Sequence, residues 1–246
     1  NLLALVLLTT RKLALGREEL ADQLELYLDL PGREDYSDRV TITGKSPDEI
    51  IAYGIELGVI ETRENPLGDI IGVRPDQSVL LTYFRNNIAH LAAVPSLVAS
   101  CFLNARRMAS RDVRRIALAV YPFLKAELYL PWNEKDFLET VEGCISWLLK
   151  HGLLIQREED GVLEKPGGGT REDLQLRVMG NALLQTFERY YITVAVLAKN
   201  GSGKLSRSEL ERLCILTAQR ISQLNEFAAP EFYDRDGDGI PRAWVQ

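Results

Sequence analysis

Three aspartates alternate with other residues near the end of this 246-residue chain. Asp234, Asp236 and Asp238, followed by Gly239, have the spacing that opens an EF-hand calcium loop. The twelfth position of such a loop holds a bidentate Glu, but here it is Val245. The pattern predicts a partial calcium site, with a solvated acidic turn as the alternative, and no other cofactor is expected.

The densest basic cluster lies in the middle of the chain. It consists of Arg106, Arg107, Arg111, Arg114 and Arg115. Clustered guanidinium groups can bind an anionic surface. The alternative is an exposed helix face on which these side chains pair with neighbouring acids.

The chain has two histidines, His90 and His151. His90 lies among Ile88, Leu91 and Ala92, an environment typical of a core histidine that shares a hydrogen bond with a neighbour. His151 directly follows a predicted helix, so we interpret it as a cation near a helix C-terminus. Neither is predicted to act as a catalytic base.

Composition limits the class of protein. Hydrophobic residues make up 46% of the chain, which is enough for one large core or two modest ones. The net charge of -6 argues against nucleic acid as a partner, because phosphate contacts need an excess of clustered Lys and Arg. Cys101, Cys144 and Cys214 are odd in number and have apolar neighbours, which favours reduced core thiols.

The longest apolar run extends from Ser78 to Phe102. It is long enough to cross a bilayer, but Arg85, Asn86 and Asn87 would be costly in hydrocarbon. We therefore predict a buried helix rather than a membrane span, and we expect the three polar side chains to find partners. Pro95 is expected to kink or interrupt this helix, since proline removes a helical hydrogen bond.

A second copy of this run follows from Leu184. A shift of 104 positions aligns Leu80 with Leu184, Arg85 with Arg189 and Ile88 with Ile192. This register predicts an internal duplication.

Smaller elements repeat as well. Helical periodicity begins after Gly16, at Ser110 and at Ser206. Ser110 is predicted to cap its helix, and Ser206 with Glu209 predicts a capping box. Each repeated unit has the order helix, capped helix, third helix and two short β runs. The first two capped helices are followed by such a third helix and by its β runs. The third helices are Ser46 to Gly58 and Asp136 to Lys150, and the β runs are Val59 to Arg63 with Ile70 to Val73, and Leu153 to Arg157 with Val162-Leu163.

The order of elements predicts a mainly α fold of repeated helical units with small β-hairpins, similar to winged-helix units. Its predicted parts are residues 1–75, residues 76–166, and an incomplete third unit with an acidic tail at 167–246. Winged-helix units suggest nucleic-acid binding only by analogy. The helices that would approach DNA here, SPDEIIAYGIELG and EKDFLETVEGCISWLLKHG, are acidic and would repel phosphate, which favours a scaffold.

Several long segments in series carry a family resemblance. They are GDIIGVRPDQSVLLTYFRNNIAHL, PSLVAS, YPFLKAELYLPW, LQTFERYYITVAVL, TAQRISQL and APEFYD. In this order they resemble the C-terminal half of the bacterial glycerol-3-phosphate 1-acyltransferase, from Leu13 to Asp234. The tail from Asp234 onward departs from the family, which continues there into another amphipathic helix.

The resemblance implies transfer of an acyl group from a thioester to glycerol-3-phosphate, in phospholipid synthesis at the cytoplasmic face of the bacterial inner membrane. The family's catalytic histidine and aspartate are separated by four residues. In this chain Pro95 and Gln156 stand at the corresponding positions after the two histidines, so no catalytic residue is carried over. The resemblance therefore implies a non-catalytic C-terminal part of a peripheral membrane enzyme, without a transmembrane segment of its own.

The implied partner is the N-terminal catalytic half of the same acyltransferase. The start at Asn1, without a basic region before the apolar Leu2 to Leu8, favours a piece of a longer protein over a signal peptide. The resemblance also assigns the arginine cluster to an anionic phospholipid surface or an acidic acyl carrier protein. The alternative function is a free-standing adaptor of tandem winged-helix-like units.

Overall fold

A computed structural model describes residues 1–10, 12–30, 43–157, 161–201 and 203–225. It is mainly helical with two small antiparallel sheets, which confirms the predicted fold class. The likeness to winged-helix units stays a prediction. Packing divides the chain into Asn1–Leu183 and Leu184–Gln246, and the predicted borders after residues 75 and 166 are not tested by this division.

The first unit contains eight α-helices and six strands within the described ranges. The helices are α1 Leu2–Leu7, α2 Arg17–Leu28, α3 Pro47–Glu56, α4 Ser78–Asn86, α5 Ala93–Ser100, α6 Ser110–Leu128, α7 Glu134–Lys150 and α8 Arg171–Asn181. The strands are β1 Ala14–Gly16, β2 Ile60–Arg63, β3 Ile70–Val73, β4 Arg107–Ala109, β5 Ile155–Gln156 and β6 Val162–Glu164.

Both predicted hairpins are present, and each gains a third strand. The sheets have the orders β1-β3-β2 and β4-β6-β5. In each sheet the added strand directly precedes a long helix, so the two halves of this unit repeat one order of elements. Sequence patterns missed β1 and β4 because a three-residue strand is too short to show alternation.

Helix ends follow the predicted capping rules with one exception. Ser46 and Glu49 form a capping box at the start of α3, and Gly58 after its end adopts a φ of 68°. The predicted cap at Ser110 is wrong, because Ser110 is the first helical residue and Ala109 is the N-cap. Ala109 ends β4, so pairing with β6 sets the start of this helix.

The apolar run from Ser78 to Phe102 forms two helices rather than one. α4 ends at Asn86, a 3₁₀ turn covers Ala89–Ala92, and α5 begins at Ala93. Pro95 lies in the first turn of α5, where its missing N–H has no helical partner to lose. The interruption therefore agrees with the expectation for Pro95. The expectation of burial holds for α5, but α4 exposes an apolar face.

Helix α5 is the centre of the first unit. Every residue from Ala93 to Ala99 is buried, and α5 packs against α6, α7 and α8. Most of its side chains are small, which lets neighbouring backbones approach closely. None of the helices in the described ranges is both long and apolar enough to span a membrane.

The second unit, as far as it is described, is a pair of helices, α9 Leu184–Asn200 and α10 Arg207–Asn225. Ile192 and Val196 of α9 pack against Cys214 and Ala218 of α10. The capping box predicted before α10 is confirmed: Ser206 N–H donates to Glu209 Oε2 at 2.9 Å, and Glu209 N–H donates to Ser206 Oγ at 3.3 Å.

Helix α8 lies close to α5 at Gly180, so an added side chain there should be destabilising. A Cβ on Gly180 would lie 3.1 Å from the carbonyl carbon of Ala99 and 3.1 Å from the backbone nitrogen of Ser100. Gly180→Ala should therefore lower the free energy of unfolding by about 1–3 kcal/mol through overpacking.

Gly143 is the matched control, since it lies on the exposed face of α7 and a Cβ there meets nothing within 4 Å. Gly143→Ala should raise the free energy of unfolding by about 0.4–1 kcal/mol, because alanine loses less backbone entropy in a helix. Urea denaturation of both variants measures the difference. Equal stability of the two variants would contradict the close contact.

Candidate functional site

His90 lies in the 3₁₀ turn between α4 and α5 and is half-buried. Burial lowers the pKa of His90, which favours the neutral imidazole at pH 7. His90 is thus less buried than the predicted core histidine. Arg85, one turn before it, is buried, and its guanidinium donates to Asn86 Oδ1 at 3.0 Å and 3.2 Å. One of the expected polar partners is thus supplied by this chain itself, while Asn86 and Asn87 lie at the surface.

His151 meets an acid that is distant in sequence. It is the C-cap residue of α7, and its Nε2 lies 3.1 Å from Oδ2 of Asp29, the C-cap residue of α2. The indole N–H of Trp147 donates to the same carboxylate oxygen at 3.0 Å. The hydrogen bond from Trp147 is the main reason why the pKa of Asp29 is lowered, and the charge of His151 adds to it.

These contacts hold two helix ends together. The C-termini of α2 and α7 both carry partial negative charge, so a carboxylate at this junction needs donors around it. The imidazole also packs on the Trp147 ring, with centroids 4.5 Å apart. Sequence reasoning placed His151 at a helix C-terminus but missed its partner, because no local pattern links residues 29 and 151.

The polar cleft beside this junction contains more acids than bases. It has a volume of about 750 Å³, and its charged lining residues are Asp22, Glu25, Asp29, Glu172, Lys150, His151 and Arg171. Arg171 pairs with Asp22, which leaves three carboxylates in the lining beside Lys150 and His151. The remaining charge disfavours binding of a phosphate group. The geometry therefore indicates a structural junction rather than an acid-base site for a phosphorylated substrate.

The predicted arginine cluster is partly neutralised by one glutamate. Arg106 and Arg107 each place Nε 3.0 Å from a carboxylate oxygen of Glu164, and Arg157 lies 3.3 Å from it. Arg107 and Glu164 are also cross-strand neighbours in the second sheet. Burial alone would raise the pKa of Glu164, but hydrogen bonding and charge, first from Arg107, lower it.

The other arginines of the cluster lie on α6. Arg114 pairs with Glu142 of α7, and Arg115 pairs with Asp112 at 3.1 Å. Four of the five predicted residues thus have acidic neighbours, as the alternative interpretation requires. Three guanidinium groups share the single carboxylate of Glu164, however, so positive charge remains in excess, and Arg111 adds an exposed cation. The anionic-surface interpretation remains a prediction.

Helix α4 presents a contiguous apolar surface. Val79, Leu80 and Tyr83 are 68%, 44% and 63% exposed. Their spacing puts them on one side of α4, opposite the buried Leu81 and Arg85. Apolar side chains that are exposed together on one helix face favour a protein-protein contact there.

Thiol and metal chemistry find little support in the described residues. The three cysteines are free, and burial raises the pKa of Cys101 to about 11, which disfavours a reactive thiolate. No group of three or more His, Cys, Asp or Glu side chains in the described ranges could hold a metal ion. The predicted calcium ligands Asp234, Asp236 and Asp238 lie outside the described residues.

The sequence matches a family model over residues 1–237, described as the glycerol-3-phosphate acyltransferase C-terminal region. The chain belongs to this family. It is 48% identical over 237 residues to the glycerol-3-phosphate acyltransferase of Xanthomonas axonopodis pv. citri (strain 306), covering 96% of this chain and 27% of that protein. This finding confirms the resemblance that the sequence segments indicated.

Two further relatives carry the same name. The glycerol-3-phosphate acyltransferase of Xylella fastidiosa (strain M23) is 44% identical over 252 residues, covering all of this chain and 28% of that protein. That of Pseudomonas putida (strain GB-1) is 35% identical over 235 residues, covering 96% of this chain and 28% of that protein. The acyltransferase C-terminal region described here thus spans little more than a quarter of its relatives' length.

The junction at Asp29 predicts a pH-dependent stability. Since the pKa of Asp29 is lowered in the folded state, its contribution is present above the ordinary carboxyl pKa of about 3.9 and is lost as pH falls through the lower folded value. Asp29→Asn should lower the free energy of unfolding at pH 6 by no more than about 1 kcal/mol, because the side chain is 62% exposed.

Denaturation from pH 6 to pH 2.5 tests this expectation. The difference between the wild-type chain and Asp29→Asn should shrink as the pH decreases below 4. Glu64→Gln, at an exposed position between β2 and β3, is the control and should show no such trend. A difference that stays constant with pH would contradict the role of the Asp29 charge.

Proposed function

We propose that this chain is the non-catalytic C-terminal part of a glycerol-3-phosphate acyltransferase, and that it supports an N-terminal catalytic part in phospholipid synthesis. The observation that carries the proposal is the family match over residues 1–237, together with relatives that extend far beyond this region. The remaining three-quarters of such an enzyme is the proposed partner. The substrates are proposed to be glycerol-3-phosphate and an acyl thioester.

The residues of this chain support a non-catalytic role. Neither histidine is followed by an aspartate at the family's spacing. His151 does meet Asp29, but that carboxylate also accepts from Trp147 and lies between two helix ends. The neighbouring cleft is acidic, whereas a site for glycerol-3-phosphate needs positive charge.

The α4 surface is the proposed contact with the catalytic part. Val79, Leu80 and Tyr83 expose apolar area to water, and burial of this area in a contact would be favourable. Tyr, Trp and Arg at the centre of an interface commonly supply most of its binding energy, so Tyr83 is the expected anchor of this contact. The catalytic part is the proposed occupant because the matched region covers only 27% and 28% of two relatives, so most of each relative lies outside it.

Activity measurements test this proposal. The chain alone should not transfer palmitate from a labelled thioester to glycerol-3-phosphate, because it lacks the general base, which contributes about a hundredfold to ten-thousandfold in rate. The catalytic part should be more active or longer-lived when the chain is added. Val79→Asp with Tyr83→Asp should weaken that association by at least about tenfold, since each charge would be buried in an apolar contact.

Leu67→Asp is the matched control, because Leu67 is 98% exposed in the turn between β2 and β3. It should leave association unchanged. Turnover by the isolated chain would contradict the non-catalytic role. Full and stable activity of the catalytic part without this chain would contradict the supporting role.

Peripheral association with the cytoplasmic face of the inner membrane is the second part of the proposal. Arg106 and Arg115 are among the most exposed of the arginine cluster, at 74% and 78% of the side chain. Each cation near an anionic membrane contributes about 1 kcal/mol. An acidic acyl carrier protein is the competing partner, and calcium binding by Asp234, Asp236 and Asp238 is a separate proposal that calorimetry at millimolar calcium tests.

Vesicle sedimentation at low salt tests the membrane contact. Reversing Arg106, Arg111 and Arg115 to Glu should reduce binding to phosphatidylglycerol vesicles by at least about tenfold. Reversal of three exposed cations elsewhere, Arg63, Lys135 and Lys204, is the control for net charge. Equal losses for both triple variants, or no loss for the cluster variant, would contradict a specific membrane-facing patch.

A further inference from the structure

Tyr129 directly follows α6 and has a left-handed backbone conformation, with φ 53° and ψ 42°. This conformation brings Cβ close to the following carbonyl oxygen, which lowers its population roughly fivefold to thirtyfold for a residue with a side chain. Glycine is therefore the usual residue at such a helix end. A bulky aromatic residue at this position is unfavourable for the folded chain.

The first unit gains little packing from the Tyr129 side chain, because the residue is 87% exposed. Leu13 is the other residue besides glycine with a positive φ in the described ranges, at 52°. The sheet accounts for Leu13, since it directly precedes β1 and its carbonyl accepts from Val73 N–H at 2.9 Å. Tyr129 combines an unfavourable backbone with an exposed ring, which indicates a role for the ring in a contact outside this chain.

The connection after Tyr129 is held in place by contacts within the unit. Leu130 is 2% exposed. The carbonyl oxygen of Trp132 accepts hydrogen bonds from the hydroxyl of Tyr121 and from the ammonium group of Lys125. An exposed side chain next to such an ordered connection loses less conformational entropy when it binds a partner.

The charges around Tyr129 favour a cation. Glu127 at the end of α6 and Glu134 at the start of α7 are exposed on the two sides of the connection. The C-terminus of α6 adds partial negative charge. Lys125 offsets part of this charge, but its ammonium group already donates to the Trp132 carbonyl. An anionic membrane or a nucleic acid would be repelled here, whereas a cation above the exposed ring would be attracted to its π-face.

We propose that Tyr129 anchors a contact with an arginine on the surface of the catalytic part. The guanidinium group stacks on the exposed ring, and Glu127 and Glu134 attract its positive charge. Arginine suits this site better than lysine, because its planar group stacks on aromatic faces. Tyrosine and arginine are both enriched among the residues that dominate the binding energy of interfaces. The identity of the partner rests on the function proposed above, and this contact is additional to that of the α4 surface.

Thermal denaturation tests whether Tyr129 is unfavourable for the folded chain. Tyr129→Gly should raise the melting temperature by about 2 °C, because glycine adopts the left-handed conformation without strain. Tyr53→Gly is the matched control, since Tyr53 is 54% exposed within α3. It should lower the melting temperature, because glycine is unfavourable inside a helix. A lower melting temperature for Tyr129→Gly would overturn the proposal.

Association of the 246-residue chain with the catalytic part, measured by calorimetry, tests the contact itself. Tyr129→Leu should weaken it by about fivefold, since leucine has no ring on which a guanidinium group can stack. Tyr129→Phe should bind within about twofold of the wild-type chain, because it keeps the ring. Tyr53→Leu is the control and should bind like the wild-type chain. Tyr129→Gly should weaken association although it stabilises the chain, a combination that a purely structural role does not give.

Charge reversal beside the ring provides an independent measurement. Glu134→Lys should weaken association by about threefold, because it places a cation next to the bound guanidinium group. Glu64→Lys, at an exposed position between β2 and β3, makes the same change in net charge and should have no effect. Circular dichroism confirms that each variant is folded before binding is measured.

The outcomes separate this contact from the supporting role proposed above. Equal binding by the wild-type chain and Tyr129→Leu overturns the contact and leaves the supporting role in place. Binding that depends on Tyr129, without a gain in activity or lifetime of the catalytic part, supports the contact and contradicts the supporting role. Absence of binding by the wild-type chain contradicts both.

Discussion

The burial of α5 on all sides is the constraint on which the first unit depends. A helix in this position must pack against several neighbours at once, so it can carry few large or polar side chains. Its close contact with α8 exists because Gly180 lacks a Cβ where the backbone at Ala99 and Ser100 approaches. Only small residues allow two helices to lie this near each other.

Polar contacts connect the two halves of this unit around α5. The junction of Asp29 with Trp147 and His151 joins α2 to α7. Arg171 of α8 pairs with Asp22 on the same helix α2. These pairs add contacts between the two halves, and the exposure of Asp29 and Arg171 keeps the contribution of each pair small.

The carboxylate of Glu164 is more buried than that of Asp29 and has more cationic partners. Glu164 at the end of β6 attracts three arginines, two from the start of β4 and one from the end of β5. A carboxylate that is only 8% exposed needs such partners, and the surplus of guanidinium groups leaves local positive charge on an acidic protein. The same residues can thus stabilise the sheet and present charge to an anionic surface.

The sequence by itself determined the class of fold, the family and most helix ends. Capping boxes at Ser46 and Ser206, the break before Pro95 and both hairpins follow from local backbone chemistry, which acts within a few residues. Several long segments in fixed order were enough to indicate the family.

Only the tertiary structure decided which distant residues meet. The added strands β1 and β4 exist through pairing with β3 and β6, and no pattern within three residues encodes that pairing. The pairing of Asp29 with His151 and the arginines around Glu164 result from packing between elements far apart in the chain. Local patterns report which face of a helix is apolar, but the contact that covers it, or leaves it exposed as on α4, depends on the position of every neighbouring element.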